Sequence, residues 1–152
     1  MASITIEAYG TPQPQGSAKA FVSGGRAIVT SANAALRPWR DTVALAARDA
    51  LGARPDWERS SAPIFLTVSF WMPRPKSAPK TRDIFPVKGV DLDKLIRAVG
   101  DSLTNAGVWV DDSQVVDIRA LERYVVGPDL PKIYIPGWHR TAPGASIIVE
   151  EM

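Results

Sequence analysis

The chain has 152 residues, 45% of them apolar, a formal net charge of +2 and no cysteine. That length can bury one core, so residues 1–152 are expected to form a single domain. Without cysteine there is no disulfide framework and no thiolate zinc site, and the lone His139 rules out a histidine cluster, so any bound metal must be held mainly by oxygen ligands.

Residues 1–88 carry twelve basic and six acidic side chains, residues 89–152 six basic and ten acidic. A basic surface beside an acidic cluster suits a phosphodiester-cleaving enzyme, because the first attracts a polyanion and the second holds divalent cations. The plainer alternative is solvated charge that happens to be uneven. No apolar run approaches the roughly 20 residues of a membrane span. The opening MASITIEAYG lacks the basic and apolar regions of a signal peptide. A cytoplasmic protein without a membrane partner is therefore expected.

In chain order, Ile4, Ile6 and Ala8 alternate with polar residues and predict a first strand over 3–8, followed by the turn-rich GTPQPQGSAK. Residues 20–23 and 26–30 flank Gly24-Gly25, a hairpin signal. Ser31 or Asn33 is placed to cap a helix from about 33 to 51, with Trp39, Val43, Ala46 and Ala50 on one face and Pro38 in its first turns. Ile64–Met72 reads as a central strand. The following MPRPKSAPKTRDIFP contains four prolines and must be a loop. Leu92, Leu95, Ile96, Val99 and Leu103 predict a helix over about 92–105, stopped by Asn-Ala-Gly at 105–107. Residues 115–125 read as a strand, 126–144 as a Pro/Gly-rich loop and 145–150 as a last strand. Strands and two main helices in this order predict an α+β two-layer sandwich, with the helices covering one face of a mixed sheet.

The stretch VDLDKLIRAVGDSLTNAGVWVDDSQVV, from Val90 to Val116, carries the chemistry. Asp91 stands where a helix cap is expected and Asp93 in the first turn, so both carboxylates can project around one helix N-terminus. Asp111 and Asp112 follow the helix stop, and a helix-turn-strand return can bring one of them back toward the first pair. Carboxylates gathered in this way repel one another unless a hard cation neutralises them. Mg²⁺ suits oxygen donors best, with Mn²⁺ as the alternative. Taken singly, the same residues also have structural readings. Asp91 and Asp93 can be a cap and a dipole-favouring acid, and Asp93, Arg97 and Asp101 a salt-bridged surface stripe. Asp111 and Asp112 can be a polar turn.

The runs DLDKL from Asp91, DSLT from Asp101 and GVWVDDSQV from Gly107 together resemble the signature of the RusA-like family of Holliday junction resolvases. More loosely, GTPQPQG from Gly10 resembles the family's Gly/Pro-rich first loop. The resemblance implies that Asp91, Asp93 and Asp112 bind the catalytic metal, with Asp111 as an accessory acid. The family's catalytic lysine falls on Arg97, which can stabilise charge on a phosphate but does not readily release a proton. Val90 replaces a frequent proline and Lys94 the usual asparagine. The implied activity is magnesium-dependent resolution of four-way DNA junctions by paired nicks, and two symmetric nicks call for a homodimer.

Lys19, Lys76, Lys80, Arg82 and Lys88 are expected to contact DNA phosphates, the alternative being a solubilising loop. Phe85 is expected in the core with Trp39, Trp71 and Trp109, stacking on an opened base being its second reading. His139 reads as a surface residue. Two other functions compete. One is another Mg²⁺-dependent phosphoryl-transfer enzyme, disfavoured because Asp91 follows a Pro-rich loop rather than a strand and no Walker-type phosphate cradle is present. The other is a non-catalytic DNA-binding or phage accessory protein with the same fold.

Overall fold

A computed structural model describes residues 2–16, 18–31, 33–126 and 140–152; His139 and most of the expected 126–144 loop lie outside the described residues. The strands are β1 (Ser3–Tyr9), β2 (Ala18–Ser23), β3 (Arg26–Ser31), β4 (Ile64–Met72), β5 (Val115–Tyr124) and β6 (Gly144–Glu151). The helices are α1 (Leu36–Gly52) and α2 (Leu92–Ala106), and a 3₁₀ turn at Asp112–Gln114 leads into β5.

Period-2 patterning builds the sheet. Ile4, Ile6 and Ala8 of β1, Leu66, Val68 and Phe70 of β4, and Ala145, Ile147 and Val149 of β6 are all buried. Their intervening neighbours in β1 are exposed, while Phe65, Thr67 and Ser69 of β4 are half-buried. Because alternate side chains point to opposite faces, one face of the sheet is apolar and must be covered. The four strands lie in the order β1-β6-β4-β5, and β2-β3 form a separate hairpin. Gly24 and Gly25 turn that hairpin with φ of 57° and 77°, the positive values its two-residue connection requires.

β6 pairs antiparallel with both β1 and β4, whereas β5 runs parallel to β4. A parallel pair needs a crossover, and α2 supplies it. α2 therefore runs back along the strands, and its N-terminus lies at the end of the sheet where β4 and β5 finish. Leu95, Ala98, Val99 and Leu103 of α2 join Leu36, Trp39, Val43 and Ala47 of α1 in the core. The α1 face thus centres on 36-39-43-47, and the expected Ala46 and Ala50 lie partly buried at its edge. The helices on one face and the mixed four-stranded sheet make the α+β sandwich expected from the sequence.

Each tryptophan assigned to the core is there: Trp39 and Trp71 are 3% exposed and Trp109 is fully buried. Phe85 is not. Its ring is 63% exposed, because the Pro-rich loop that carries it lies outside the layers. Neither Ser31 nor Asn33 is the residue before α1, which is Ala35. Asn33 instead closes the preceding turn, its Oδ1 accepting from the Ala35 N–H at 3.1 Å.

Candidate active site

Asp91 has the extended backbone of an N-cap (φ −80°, ψ 131°), yet its side chain makes no capping hydrogen bond. Its carboxylate faces the Lys94 ammonium at 3.1 Å. Asp93 lies in the first turn of α2, exposed, where the helix N-terminus favours negative charge. Arg97 is one turn further on, also exposed.

Residues 93, 97 and 100 recur at spacings of four and three, which keeps them on one side of the helix. Asp112 packs onto that side at Gly100, where a Cβ would stand 3.7 Å from both Cβ and Oδ2 of Asp112. The helix–turn–strand return therefore sets Asp112 on the same face of α2 as Asp93 and Arg97. It does not close the three acids into one cage. Seven residues of helix separate Asp93 from Gly100, a rise of about 10 Å. Among the described residues no three Asp, Glu, His or Cys side chains are placed to hold one ion.

The turn that presents Asp112 is tightly held. Trp109 is buried with its indole N–H donating to Thr104 Oγ1 at 2.7 Å, and Gly107 ends α2 at φ 83°. The N–H of Gly107 and that of Val108 answer the carbonyls of Thr104 and Leu103, each at 3.1 Å, a Schellman closure. Gln114 then uses its whole amide. Oε1 accepts from the N–H groups of Val110 (2.9 Å) and Asp111 (2.8 Å), while Nε2 donates to the carbonyls of Ser60 (3.0 Å) and Ala62 (2.9 Å). Asp111 is exposed and accepts a bond from the Ser113 hydroxyl, which is the main reason its carboxyl is held below the ordinary range.

At the other end, Glu122 lies on the helix-facing side of β5, in register with Phe70. Burial, and then the charge of Asp91, push its carboxyl above the usual carboxylate range. A third acid thus stands near the α2 N-terminus, with Asp91 and Asp93. Glu122 is not legible in the sequence, because a glutamate between Leu121 and Arg123 has no signature of its own. Gln114 has none either; for the seat at Gly100 the available signal is a glycine inside an otherwise regular helical pattern.

The surface stripe considered for Asp93, Arg97 and Asp101 is not formed. Asp93, Arg97 and Asp112 make no ion pair among the described residues, and Asp101 turns instead to Gln15 Nε2 and, at 3.9 Å, to Arg40 of α1. Gln15 also donates its backbone N–H to the Lys94 carbonyl at 3.0 Å, so the first loop lies against α2 beside the acids. Of the basic residues, Lys76, Lys80, Arg82 and Lys88 are exposed. Lys19 stands in β2, and its side chain lies outside what the structure describes. Arg74 is consumed inside its own loop: it donates to the carbonyls of Pro79 and Arg82 and lies 3.5 Å from Asp83.

Comparison with known proteins gives this arrangement a context. Residues 9–136 match the family described as Endodeoxyribonuclease RusA. The proteins named crossover junction endodeoxyribonuclease RusA from Escherichia coli K12 and from Shigella sonnei are each 56% identical to the chain over 32 residues. The same holds for that of Enterobacteria phage 82. These alignments cover 21% of this chain and 27% of each relative, so the close likeness spans about a quarter of the relatives' length. With the family match extending over most of its residues, the chain belongs to the RusA endodeoxyribonuclease family.

Proposed function

We propose that this chain is a magnesium-dependent endonuclease that resolves four-way DNA junctions by paired symmetric nicks. The observation that carries the reading is the seat of Asp112 at Gly100, on the α2 face shared by Asp93 and Arg97. Family membership over residues 9–136 supports it.

The donor set suits Mg²⁺, being carboxylate oxygens that are exposed and, for Asp93 and Asp112, outside any ion pair among the described residues. Mg²⁺ keeps several waters and usually takes one or two carboxylates together with substrate phosphate. Acids spread along one helix face, rather than closed into a cage, are compatible with that habit. Asp91, Asp93 and Asp112 would hold the cation only after drawing together, Asp91 leaving Lys94 and Asp112 closing on Asp93 across the rise of about 10 Å that separates their seats on the helix. Bound there, the ion would supply an activated water and stabilisation of charge on the scissile phosphate.

Arg97 is permanently charged and directs its guanidinium at the phosphate, but it does not protonate the leaving oxygen. Lys94 screens Asp91 from its acidic neighbours. Lys76, Lys80, Arg82 and Lys88 neutralise backbone phosphates together with Lys19, giving binding that is sequence-independent and salt-sensitive. Asp111 is an accessory acid that also braces the turn through Ser113. Two symmetric nicks require two sites, and a homodimer of this single 1–152 domain meets that need. The same reading places the enzyme in the cytoplasm; among the described residues no helix is long and apolar enough to cross a membrane.

The test is cleavage of a synthetic four-way junction against linear duplex, in Mg²⁺ or EDTA, by wild type and Asp93→Asn. Wild type should make paired nicks at the junction in Mg²⁺ and none in EDTA. Asp93→Asn should bind the junction but cut it at least about a hundredfold more slowly, the scale of losing one electrostatic partner of the transition state. Metal-independent binding without cleavage would replace this reading with a non-catalytic junction-binding protein.

A further inference from the structure

Phe85 is 63% exposed, and Val87 beside it is 84% exposed, on the loop that delivers the chain to Asp91. The loop is folded, not slack. Arg74, its side chain only 11% exposed, gathers the carbonyls of Pro79 and Arg82 and the Asp83 carboxylate, and the Val87 N–H closes a tight turn onto the Phe85 carbonyl at 2.9 Å. A loop organised this far still holds a phenyl ring outward. One face of that ring is occupied, because the Arg123 guanidinium lies 4.4 Å from its centroid. Arg123 stands one residue before the end of β5, where β4 and β5 finish beside the α2 N-terminus, so ring and acids share one end of β5.

We propose that Phe85 is a specificity-determining residue that selects branched DNA by stacking its free face on a base left unstacked at the branch point. The inference rests on the junction-resolving reading above and names how that site tells a junction from a duplex. Aromatic faces accept any base, because every base has a π-face, and the cation behind the ring strengthens the platform. Exposed Lys80, Arg82 and Lys88 on the same loop supply the positive surroundings that an approaching strand requires. That charge favours nucleic acid as the occupant over an apolar protein surface. In an intact duplex the base faces are already covered, and exposing one costs unpairing energy, which is least where the stack is already broken. The platform therefore adds affinity at the branch point and none along linear DNA.

The experiment measures equilibrium binding, in EDTA, of a four-way junction and of linear duplex by wild type, Phe85→Ala, Phe85→Leu and Phe85→Trp. Single-turnover cleavage of the junction in Mg²⁺ is followed in parallel. Phe85→Ala and Phe85→Leu should each lose at least about fivefold in junction affinity, the weak end of base-on-aromatic stacking, and leave duplex affinity unchanged. Phe85→Trp should match or exceed wild type. Junction affinity preserved in Phe85→Ala would overturn the inference, and so would full replacement by Phe85→Leu, which packs but does not stack. Equal loss on junction and duplex would also overturn it, by making Phe85 a general contact. Wild type that shows no preference for the junction would instead overturn the parent reading, and it does so before any variant is compared.

Discussion

The two ends of α2 are built on opposite terms. At the C-terminal end the polar groups are answered by the protein itself. Gly107 and Val108 close the last carbonyls, the indoles of Trp109 and Trp57 reach Thr104 and the Val108 carbonyl, and Gln114 spends both halves of its amide. At the N-terminal end, Asp91 makes no cap bond, Asp93 and Arg97 make no ion pair among the described residues, and Phe85 presents a bare ring face. Groups satisfied internally hold geometry, while groups left exposed are available to a ligand. The end that carries Asp112 is thus the fixed jaw, and the end that carries Asp91 and Asp93 is the one left open, where the proposed function places substrate and cation.

The strongest way to break this contrast is to hollow out the fixed jaw. Trp109→Ala removes a fully buried indole and the donor to the Thr104 hydroxyl oxygen, which keeps only its own bond to the Gly100 carbonyl, and it should cost about 3–5 kcal/mol in urea denaturation. Phe85→Ala at the opposite end removes an exposed ring and its contact with Arg123 and should cost no more than about 1 kcal/mol. Equal losses would mean that the two ends are not differently built.

How much of this was legible in the sequence follows from the range of the forces involved. Alternation in Ile4, Ile6 and Ala8, and the 92-95-99-103 period, are local patterns, and both elements fall where those patterns place them. The position of Asp91 before the first helical residue was readable in the same way. Strand order was not. The pair Ile4↔Val149 joins residues at opposite ends of the chain, and nothing in either neighbourhood records it. Asp112 could be expected to return toward α2, but its contact at Gly100 depends on the length of the 107–111 turn and on Gln114 bonding across to the Ser60–Ala62 segment. Phe85 was misread for a related reason. Aromatic residues are core residues on average, and a ring held outward by a loop looks the same in sequence.

A smaller change sharpens the contrast by loosening the jaw without hollowing it. Gln114→Ala leaves the Ala62 carbonyl and the Asp111 N–H without their partner, and the Val110 N–H and Ser60 carbonyl with only their bond to each other, at about 1–3 kcal/mol if water does not replace it. Junction cleavage should fall with stability, because the turn that seats Asp112 is no longer pinned, while junction binding is kept. A variant that loses stability but cuts at the wild-type rate would show that the Gln114 bonds do not serve Asp112.

The smallest expected effect concerns crowding at the open end. Burial first, and Asp91 second, raise the Glu122 carboxyl above its ordinary value of 4.5. The folded protein therefore holds that proton more tightly than the unfolded chain does, and stability falls as pH rises through the interval above 4.5. Below that interval the group is protonated in both states and contributes no difference. Glu122→Gln removes the ionisation while keeping the shape. In EDTA its urea midpoint should equal that of wild type near pH 4 and exceed it near pH 7, and added Mg²⁺ should narrow the gap if the cation relieves the same repulsion. An advantage of equal size at every pH would assign the effect to packing and leave the open end uncrowded. No advantage at any pH would mean that Glu122 ionises freely beside Asp91, and that end would then hold its acids apart without needing a cation.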